Sequence, residues 1–290
     1  MHLIEINSLT ESQIFDIYNL ANELKENKTA KRLDGKTFAL FFPESSLRTR
    51  ITFEKGIKEL GGTCILFPPD TLDKREKLED VMKYLENWVD GLVIRHPDLA
   101  KIKTLASYAT IPVINAMTAE DHPCEILSDL YSIAEIRKNY RDLTYTFVGA
   151  AGNISRSWME IAKVMNLTFR HVCTSGNQFG EDSSHYYFTT NLESALRGSD
   201  VILTDSLSGE CRNDEYIKNY QITMERMQLA NDGAILNPCP PFFRDEEVST
   251  EVINSDYFVG YEFKKNLIYV QQAIILYCLS RDAGYHILGM

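Results

Sequence analysis

The sequence predicts an α/β protein with two domains, each a parallel sheet flanked by helices. Short apolar runs alternate with helical patterns along the chain, and strands that alternate with helices form parallel sheets. The length of 290 residues is long for one core and fits two domains. A hydrophobic content of 44% supports ordinary globular cores in both.

The first half of the chain begins with an amphipathic helix at 11–26, which Thr10 and Gln13 open as a capping box. Gly61 and Gly62 end a second helix. The apolar runs predict strands at 37–42, 63–67, 90–95 and 112–116. Helical spacing predicts the further helices at 48–60, 78–88, 101–109 and 123–140. The helix near 125–140 is expected to join the two sheets.

The second half repeats this rhythm without short repeats or low-complexity segments. Strands are predicted at 144–150, 168–174, 200–206, 234–238 and 257–262. Helices are predicted at 155–165, 191–198, 223–231 and 266–280. This order of elements predicts a second parallel sheet.

The composition excludes some classes of protein. The net charge of −11 argues against a nucleic-acid surface, because phosphate backbones select basic faces. The 6 cysteines form no C-x-x-C pair and indicate free thiols in a reducing cytoplasm. No run of about 18 apolar residues predicts a membrane span, and the N-terminus lacks the pattern of a secretory leader. A local basic cluster in so acidic a chain is therefore informative.

Such a cluster follows the first predicted strand, in the stretch "FALFFPESSLRTRITFEKG". Arg48 and Arg50 oppose the dipole of the helix that begins there, because a helix start attracts anions. Ser46, Arg48 and Thr49, with the free amides of the helix start, could form a phosphate cradle. The alternative is a solvated turn with surface arginines.

Three more segments bring polar side chains to the same edge, because parallel sheets bind ligands beyond the carboxyl ends of their strands. Arg95 and His96 end a strand, His122 and Glu125 open a helix, and Lys74 lies in a polar loop. Each has a structural alternative: a histidine before proline often caps or packs, and a loop lysine is often only solvated.

Taken in order, these motifs resemble the aspartate/ornithine carbamoyltransferase family over nearly the whole chain. The family's S-T-R-T-R, lysine loop, R-H-P and H-P-x-Q appear as "SLRTR" (46–50), "DKREKLED" (73–80), "RHP" (95–97) and "HPCE" (122–125). The second half resembles the ornithine branch in "VGAAGNISRS" (148–157), "TDSLSGE" (204–210) and "PCPPFFRDEEV" (238–248). The resemblance implies a carbamoyl-phosphate-binding domain at 1–138, with the C-terminal helix (266–290) packing back on it. An amino-acid-binding domain is implied at 139–265.

The resemblance also implies how carbamoyl phosphate is bound and which residues are catalytic. The phosphate would be held by Ser46, the amide of Leu47, Arg48 and Thr49, and Arg95 would bridge the phosphate and the carbonyl oxygen. Arg95, His122 and the Thr49 hydroxyl would be the catalytic groups that stabilise the oxyanion. Glu125 stands where the family's glutamine meets the carbamoyl group. No covalent nucleophile, metal or cofactor is needed.

Assembly is a further expectation from the resemblance. Lys74 belongs to a loop that in this family reaches the neighbouring subunit's site, which implies a homotrimer. The alternative is a flexible surface loop. Arg50 is interpreted as structural, paired with an acid of its own domain.

The acceptor would be an amino acid with a second amine, ornithine or a related diamino acid. In the ornithine branch the residues matching Asp205 and Cys239 flank the side-chain amine, and Asn153 could bind the α-carboxylate. The matching loops add Ser208, Gly209 and Pro240 to the acceptor site. A carboxylate such as Asp205 draws a cationic substrate, although Asp205 could instead cap a turn. Transfer to aspartate stays an alternative.

Four positions depart from the family pattern. Glu125 replaces a glutamine and adds negative charge near a phosphate, which the basic cluster or a proton on the carboxyl could offset, and which could also mean a modified donor. Ala150 replaces an aspartate and Leu267 an arginine. Pro238 stands at the histidine of the ornithine branch, unless the alignment puts Asn237 there.

Other functions stay open at this point. The departures fit a catalytically silent relative that binds phosphate in a structural or regulatory role. "VGAAGN" is half of a dinucleotide fingerprint, which would suit a nicotinamide-dependent oxidoreductase, but the full G-x-G-x-x-G is absent. Zinc at His122 and Cys124 would have too few ligands for a structural site.

Overall fold

The computed structural model describes residues 1–27 and 31–282, the last two without their side chains. The strands are β1 (Thr37–Phe41), β2 (Thr63–Phe67), β3 (Gly91–Arg95), β4 (Val113–Met117), β5 (Thr144–Val148), β6 (Thr168–Val172), β7 (Tyr186–Thr189), β8 (Val201–Thr204) and β9 (Ile235–Pro238). The α-helices are α1 (Glu11–Glu26), α2 (Arg48–Glu59), α3 (Leu78–Leu85), α4 (Leu99–Tyr108), α5 (Pro123–Ile136), α6 (Asn153–Met165), α7 (Leu192–Leu196), α8 (Asp214–Tyr220), α9 (Met224–Met227), α10 (Thr250–Ile253) and α11 (Leu267–Asp282).

The described chain divides into two compact units, and each sheet belongs to one of them. The first unit comprises Met1–Ser132 and the chain from Lys265 onward, and the second comprises Ile133–Lys264. Residues 283–290, which are predicted to belong to the first domain, lie outside the described residues. The predicted fold class, α/β with two parallel sheets, is confirmed.

The first unit has a four-stranded parallel sheet in the order β2-β1-β3-β4. Its two central strands are apolar and almost completely buried, as expected for a parallel sheet covered on both faces. The C-terminal helix α11 packs on α1 and α2, as predicted. Gly56 allows this close approach, because a Cβ there would lie 3.2 Å from Cγ of Gln272. The Gln272 amide donates to the Gly56 carbonyl oxygen at 2.9 Å.

Several helix ends in this unit differ from prediction, among them the end of α3 at Leu85. Helix α4 begins at Leu99 rather than 101, because the Asp98 side chain accepts from the Lys101 amide at 3.1 Å and caps the helix. Helix α5 ends at Ile136, and the chain continues into the 3₁₀ helix Tyr140–Asp142.

The second unit has a five-stranded parallel sheet in the order β7-β6-β5-β8-β9. The predicted strand at 257–262 is wrong. Phe258 makes only an isolated bridge to Leu236, and Gly260 turns the chain with a φ of +77° before the 3₁₀ helix Glu262–Asn266. Strand β7 and the helices α8 and α10 were not predicted. Asn213 caps α8 by accepting from the Tyr216 amide.

No helix among the described residues is long and apolar enough to cross a membrane.

Candidate active site

The residues expected to bind carbamoyl phosphate lie beyond the carboxyl ends of the four strands of the first unit. Ser46, Arg48 and Thr49 follow β1, and Lys74 follows β2 after a short 3₁₀ helix. Arg95 is the last residue of β3, and His122 lies between β4 and α5. Because the strands are parallel, these segments share one edge of the sheet.

One contact joins two of these segments directly. Nη1 of Arg95 donates to Oγ of Ser46 at 3.0 Å, so the turn after β1 and the end of β3 meet. Ser46 is buried and Arg95 half-buried. The pairing of β3 with β4 shifts register between Ile94 and Arg95. Such an irregularity re-aims a side chain, which suits a guanidinium turned toward the edge of a sheet.

The first backbone N–H groups of α2 have no hydrogen-bond acceptor within the helix. Leu47 stands at the N-cap, and its side chain makes no capping hydrogen bond. Thr49 is buried, whereas the Arg48 side chain is exposed and makes no hydrogen bond or ion pair with the residues that the structure describes. Arg50, two residues on, donates from Nε to Oε1 of Glu54 at 2.7 Å, in agreement with its interpretation as a structural residue. Arg48 is therefore the guanidinium available to an anion at this helix start.

The Lys74 loop is tethered at its base. Nδ1 of His96 accepts from the Asp98 amide at 3.0 Å, so Nε2 bears the proton and faces Oδ1 of Asp73 at 3.1 Å. Lys101 also pairs with Asp73, and its hydrogen bond is the main reason that the pKa of this carboxyl is lowered. Lys74 itself is exposed and has no ion-pair partner in the described part of the chain.

His122 and Glu125 are both buried at the start of α5. The preceding turn is held by Thr118, whose hydroxyl accepts from the amides of Glu120 and Asp121 at 3.1 and 2.9 Å. The Cys124 thiol donates to a carbonyl oxygen in the core at 3.4 Å, and burial raises its pKa well above the ordinary value. No three metal-binding side chains cluster among the described residues.

In the second unit the expected acceptor residues follow three neighbouring strands. Asn153 begins α6 after β5, Asp205 follows β8, and Cys239 follows β9. The Cys239 amide donates to the carbonyl oxygen of Thr204 at 2.8 Å, which ties the ends of β8 and β9 together. Asn153 and Cys239 are buried, whereas Asp205 is half-buried.

The loop after β8 contains the remaining acceptor residues. Oδ1 of Asp205 accepts from the Ser206 amide at 2.8 Å, so this carboxylate does bind the backbone of its own turn. Ser208 and Gly209 are exposed, and Pro240 is half-buried after β9. Two of the departures from the family pattern lie in this unit: Ala150 is half-buried after β5, and Pro238, like the neighbouring Asn237, is buried at the end of β9.

Three further polar residues near this edge, two of them buried, are not among the predicted site residues. Glu247 accepts from the Phe243 amide, and burial raises its pKa to about 6. Its Oε2 atom has no hydrogen-bond partner among the described residues. His171 and Asn177 hold the loop between β5 and α6. Glu247 belongs to the motif "DEEV", which is the one sequence signal that could have indicated it. No sequence pattern indicates His171 or Asn177.

Comparisons with known proteins match both halves of the chain to one family. The model of the carbamoyl-P binding domain of aspartate/ornithine carbamoyltransferases matches residues 1–135, and that of the family's Asp/Orn binding domain matches residues 141–278. Ornithine carbamoyltransferase of Syntrophotalea carbinolica is 31% identical, and the match covers 91% of this chain and 94% of the relative. That of Desulfotalea psychrophila is 32% identical, with 94% and 97% covered.

Solved structures give the same result. Ornithine carbamoyltransferase from Burkholderia thailandensis has a TM-score of 0.88 at 27% identity, covering 96% of this chain and 98% of that one. The enzyme from Thermus thermophilus has a TM-score of 0.88 at 26% identity, with the same coverage. The two domain models follow the same order as the two sheets, and the motifs at each sheet edge agree with them. The chain is therefore a carbamoyltransferase and belongs to the aspartate/ornithine carbamoyltransferase family.

Proposed function

We propose that this enzyme transfers the carbamoyl group of carbamoyl phosphate to the side-chain amine of ornithine or a closely related diamino acid. The binding of carbamoyl phosphate is supported by the contact of Arg95 with Ser46 at the start of α2. Beside it lies Arg48, whose side chain has no partner among the described residues, and the Leu47 side chain does not cap this helix. An anion at that place would receive guanidinium, hydroxyl and backbone donors together.

The reaction needs positioning and charge stabilisation rather than a covalent nucleophile. The deprotonated amine attacks the carbamoyl carbon and a C–N bond forms. The C–O bond to phosphate then breaks with its electron pair leaving on phosphate, and the departing phosphate takes the proton that the attacking nitrogen loses. Ser46, the Leu47 amide, Arg48, Thr49 and Lys74 would stabilise the phosphate. Arg95, His122 and Thr49 would donate to the developing oxyanion, and each such donor is typically worth about 3 kcal/mol. Glu125 would accept from the carbamoyl NH₂ group.

Two arguments favour a diamino acid over aspartate as acceptor. Asp205 offers a carboxylate to an ammonium, and Asn153, Ser208, Gly209, Cys239 and Pro240 would complete the acceptor site. An aspartate acceptor needs a cation for its second carboxylate, yet the nearest arginine in this loop is engaged. Nε of Arg212 donates to Oε2 of Glu246 at 3.0 Å. The relatives described above are ornithine carbamoyltransferases, which supports the same choice.

We also infer a homotrimer in which Lys74 reaches the site of a neighbouring copy. The first unit exposes apolar side chains that a partner copy would cover. Leu47 and Ile51, which are 63% and 54% exposed, lie one turn apart on α2. Ile65 and Leu66 are exposed on β2, an edge strand of the sheet. Exposed apolar edge strands tend to associate with other chains. These side chains therefore support an interface between copies of this protein.

The functional domains are proposed to be 1–138 with 266–290 for carbamoyl phosphate, and 139–265 for the amino acid. A cytoplasmic location is proposed from the cysteines. All six are free thiols, and five of them are buried, as is usual in a reducing compartment.

The decisive assay measures phosphate release from carbamoyl phosphate with ornithine, shorter diamino acids and aspartate. Wild type should prefer a diamino acid, and its activity should rise with pH until the free amine dominates. Asp205→Asn should lower kcat/KM for that acceptor by roughly 10- to 100-fold, because a charge-assisted hydrogen bond is lost. Asp232→Asn, a change of an exposed residue in the same unit, is the matched control and should behave as wild type.

A preference for aspartate, or an unchanged kcat/KM in Asp205→Asn, would contradict the proposed acceptor. Binding of carbamoyl phosphate without transfer to any amine would instead identify a silent relative.

A further inference from the structure

His171 occupies a completely buried position on β6 and is enclosed by aromatic rings. It stacks on Phe179 with ring centroids 5.3 Å apart and meets Phe188 and Phe147 edge-on at 5.3 and 5.8 Å. Burial lowers the pKa of this imidazole to about 4. A neutral imidazole in an apolar enclosure has one donor and one acceptor, so each nitrogen needs a suitable partner.

The hydrogen bonds around His171 determine which nitrogen has the proton. The Phe179 amide donates to the Tyr186 hydroxyl oxygen at 3.0 Å. The Tyr186 hydroxyl, 3.3 Å from Nδ1 of His171, can then donate its own proton to that nitrogen. Nε2 therefore bears the imidazole proton and donates to the carbonyl oxygen of Gly149 at 2.9 Å.

Gly149 is the first residue of the loop that leads from β5 to Asn153. Its amide donates to the carbonyl oxygen of Val172 at 3.0 Å, so the end of β6 holds both of its backbone polar groups. Gly149 has a φ of +154°, a conformation that glycine adopts without steric cost. Because glycine restricts its own backbone so little, the external hydrogen bonds must fix the direction of this loop.

The rest of the loop is fixed from the same side and from α6. The Ala151 amide donates to Oδ1 of Asn177, which follows β6, at 2.9 Å. The Gly152 amide donates to Oγ of Ser155 at 2.9 Å. Among these contacts, that of His171 is the one made by a side chain deep in the sheet. It therefore links the loop to the rigid core of the second unit.

We propose that His171 is a positioning residue for the acceptor amino acid: its Nε2–H group holds Gly149, and so sets where Asn153 meets the α-carboxylate. This inference rests on the proposed function, in which Asn153 binds that carboxylate. His171 touches no substrate in this proposal. Its effect should therefore appear in the affinity for the acceptor and leave carbamoyl phosphate binding unchanged.

Two substitutions, His171→Gln and His171→Asn, both keep a polar amide at this position. Only the first can still donate a hydrogen bond to Gly149, so the pair tests that contact specifically. Gln at position 171 can place an N–H close to where Nε2 lies, whereas Asn is too short and replaces only Nδ1. His171→Asn should raise the KM for ornithine roughly tenfold, with kcat and the KM for carbamoyl phosphate within about twofold of wild type. His171→Gln should recover most of the affinity for ornithine.

A substrate-free measurement tests the same loop without relying on the proposed function. Hydrogen exchange of the amides at 150–153 should accelerate in His171→Asn and stay near wild type in His171→Gln. This holds whether or not wild type carbamoylates ornithine, so failure of the proposed function and failure of this inference give different results.

Tyr186→Phe provides the milder variant, because it removes only the hydroxyl that fixes the tautomer. It should raise the KM for ornithine in the same direction by a smaller factor. Unchanged loop exchange and an unchanged KM in folded His171→Asn would overturn the proposal, as would equal losses in the Asn and Gln variants. If both amide variants fail to fold, the same null result in Tyr186→Phe overturns it.

Discussion

At the scale of single residues, two buried titratable groups of the second unit respond to pH in opposite directions. His171 is neutral in its aromatic enclosure, with a pKa lowered to about 4 by burial. Burial raises the pKa of Glu247 to about 6. Stability from His171 is therefore present above the ordinary histidine pKa and is lost as pH falls. Stability linked to Glu247 is present below the ordinary glutamate pKa and is lost as pH rises through about 6.

We predict that the stability difference between wild type and His171→Gln changes with pH. The histidine must be protonated on unfolding between pH 6.5, its ordinary value, and about 4. Wild type should lose about 3 kcal/mol relative to the variant across that window. Glu247 is present in both proteins and cancels in the difference, and burial raises the pKa of Tyr186, which stays neutral. Urea unfolding at pH 7, 5.5 and 4 measures the difference, and a pH-independent gap would refute this prediction.

At the scale of elements, helix α2 contains two arginines whose side chains have different surroundings. The Arg48 side chain has no partner among the described residues, whereas Arg50 is paired with Glu54 one turn along the helix. We predict that Arg48→Ala weakens carbamoyl phosphate binding by roughly 10- to 100-fold and changes stability by no more than about 0.5 kcal/mol. Arg50→Ala should leave that affinity unchanged and cost about 0.5 kcal/mol, as for a partly exposed pair on a helix.

Calorimetric titration with carbamoyl phosphate compares the two variants directly, and they lie on the same helix with the same change of charge. Equal affinities of wild type and folded Arg48→Ala would remove the basis for a phosphate site at the start of α2. A large loss of affinity in Arg50→Ala would show that the ion pair with Glu54 does more than stabilise the helix.

Most strands of the two sheets could be predicted from the sequence, and the exceptions have physical reasons. The two sheets follow from alternating strands and helices, and the proposed donor site follows because parallel strands bring their carboxyl ends to one edge. The short strand β7 pairs only with β6 after a long irregular segment, and no local pattern predicts such a pairing. The strand predicted at 257–262 fails because Gly260 turns the chain. The segment has the apolar composition of a strand, but Tyr257 and Phe258 pack on the core of the second unit instead.

In the site, loops that follow strands could be predicted, whereas groups inside the sheet could not. Arg48 and Arg95 stand at strand ends, where polar residues contrast with the apolar runs before them. His171 stands within a strand, and its role depends on Tyr186 and Gly149. These partners are brought to it only by the pairing of β5, β6 and β7. A single histidine in a strand has no sequence signal that distinguishes positioning from packing.

At the scale of the whole molecule, the proposed trimer would explain two features of the first unit that have no evident function in a single copy. The first unit exposes apolar residues on α2 and β2, and Lys74 has no ion-pair partner among the described residues. The loop before Lys74 is nevertheless tethered, through Asp73, to His96 and Lys101. A tethered loop with an unengaged lysine at its exposed part is suited to reach an anion bound by another copy.

We therefore predict that two inactive variants restore activity when their subunits exchange. Lys74→Ala retains an intact phosphate cradle, and Arg48→Ala retains an intact loop. In a cyclic trimer each site combines the cradle of one copy with the loop of the next. Random mixing in equal amounts should then regenerate about one quarter of the wild-type sites. With carbamoyl phosphate held well below the weakened Kd of Arg48→Ala, each variant alone should be nearly inactive, and mixing Lys74→Ala with a second loop variant, Lys74→Gln, should restore nothing.

The measurement is phosphate release after the mixture has been partly unfolded in denaturant and refolded, with exchange verified by native mass spectrometry of isotopically labelled chains. Recovery in the Arg48 and Lys74 mixture, and none in the loop–loop mixture, is the result that a shared site requires. If Lys74→Ala alone stays fully active, the lysine is only a solvated surface charge. If exchange is verified and no activity returns, cradle and loop act within one copy, and the apolar surface of α2 and β2 must serve an assembly that does not share sites.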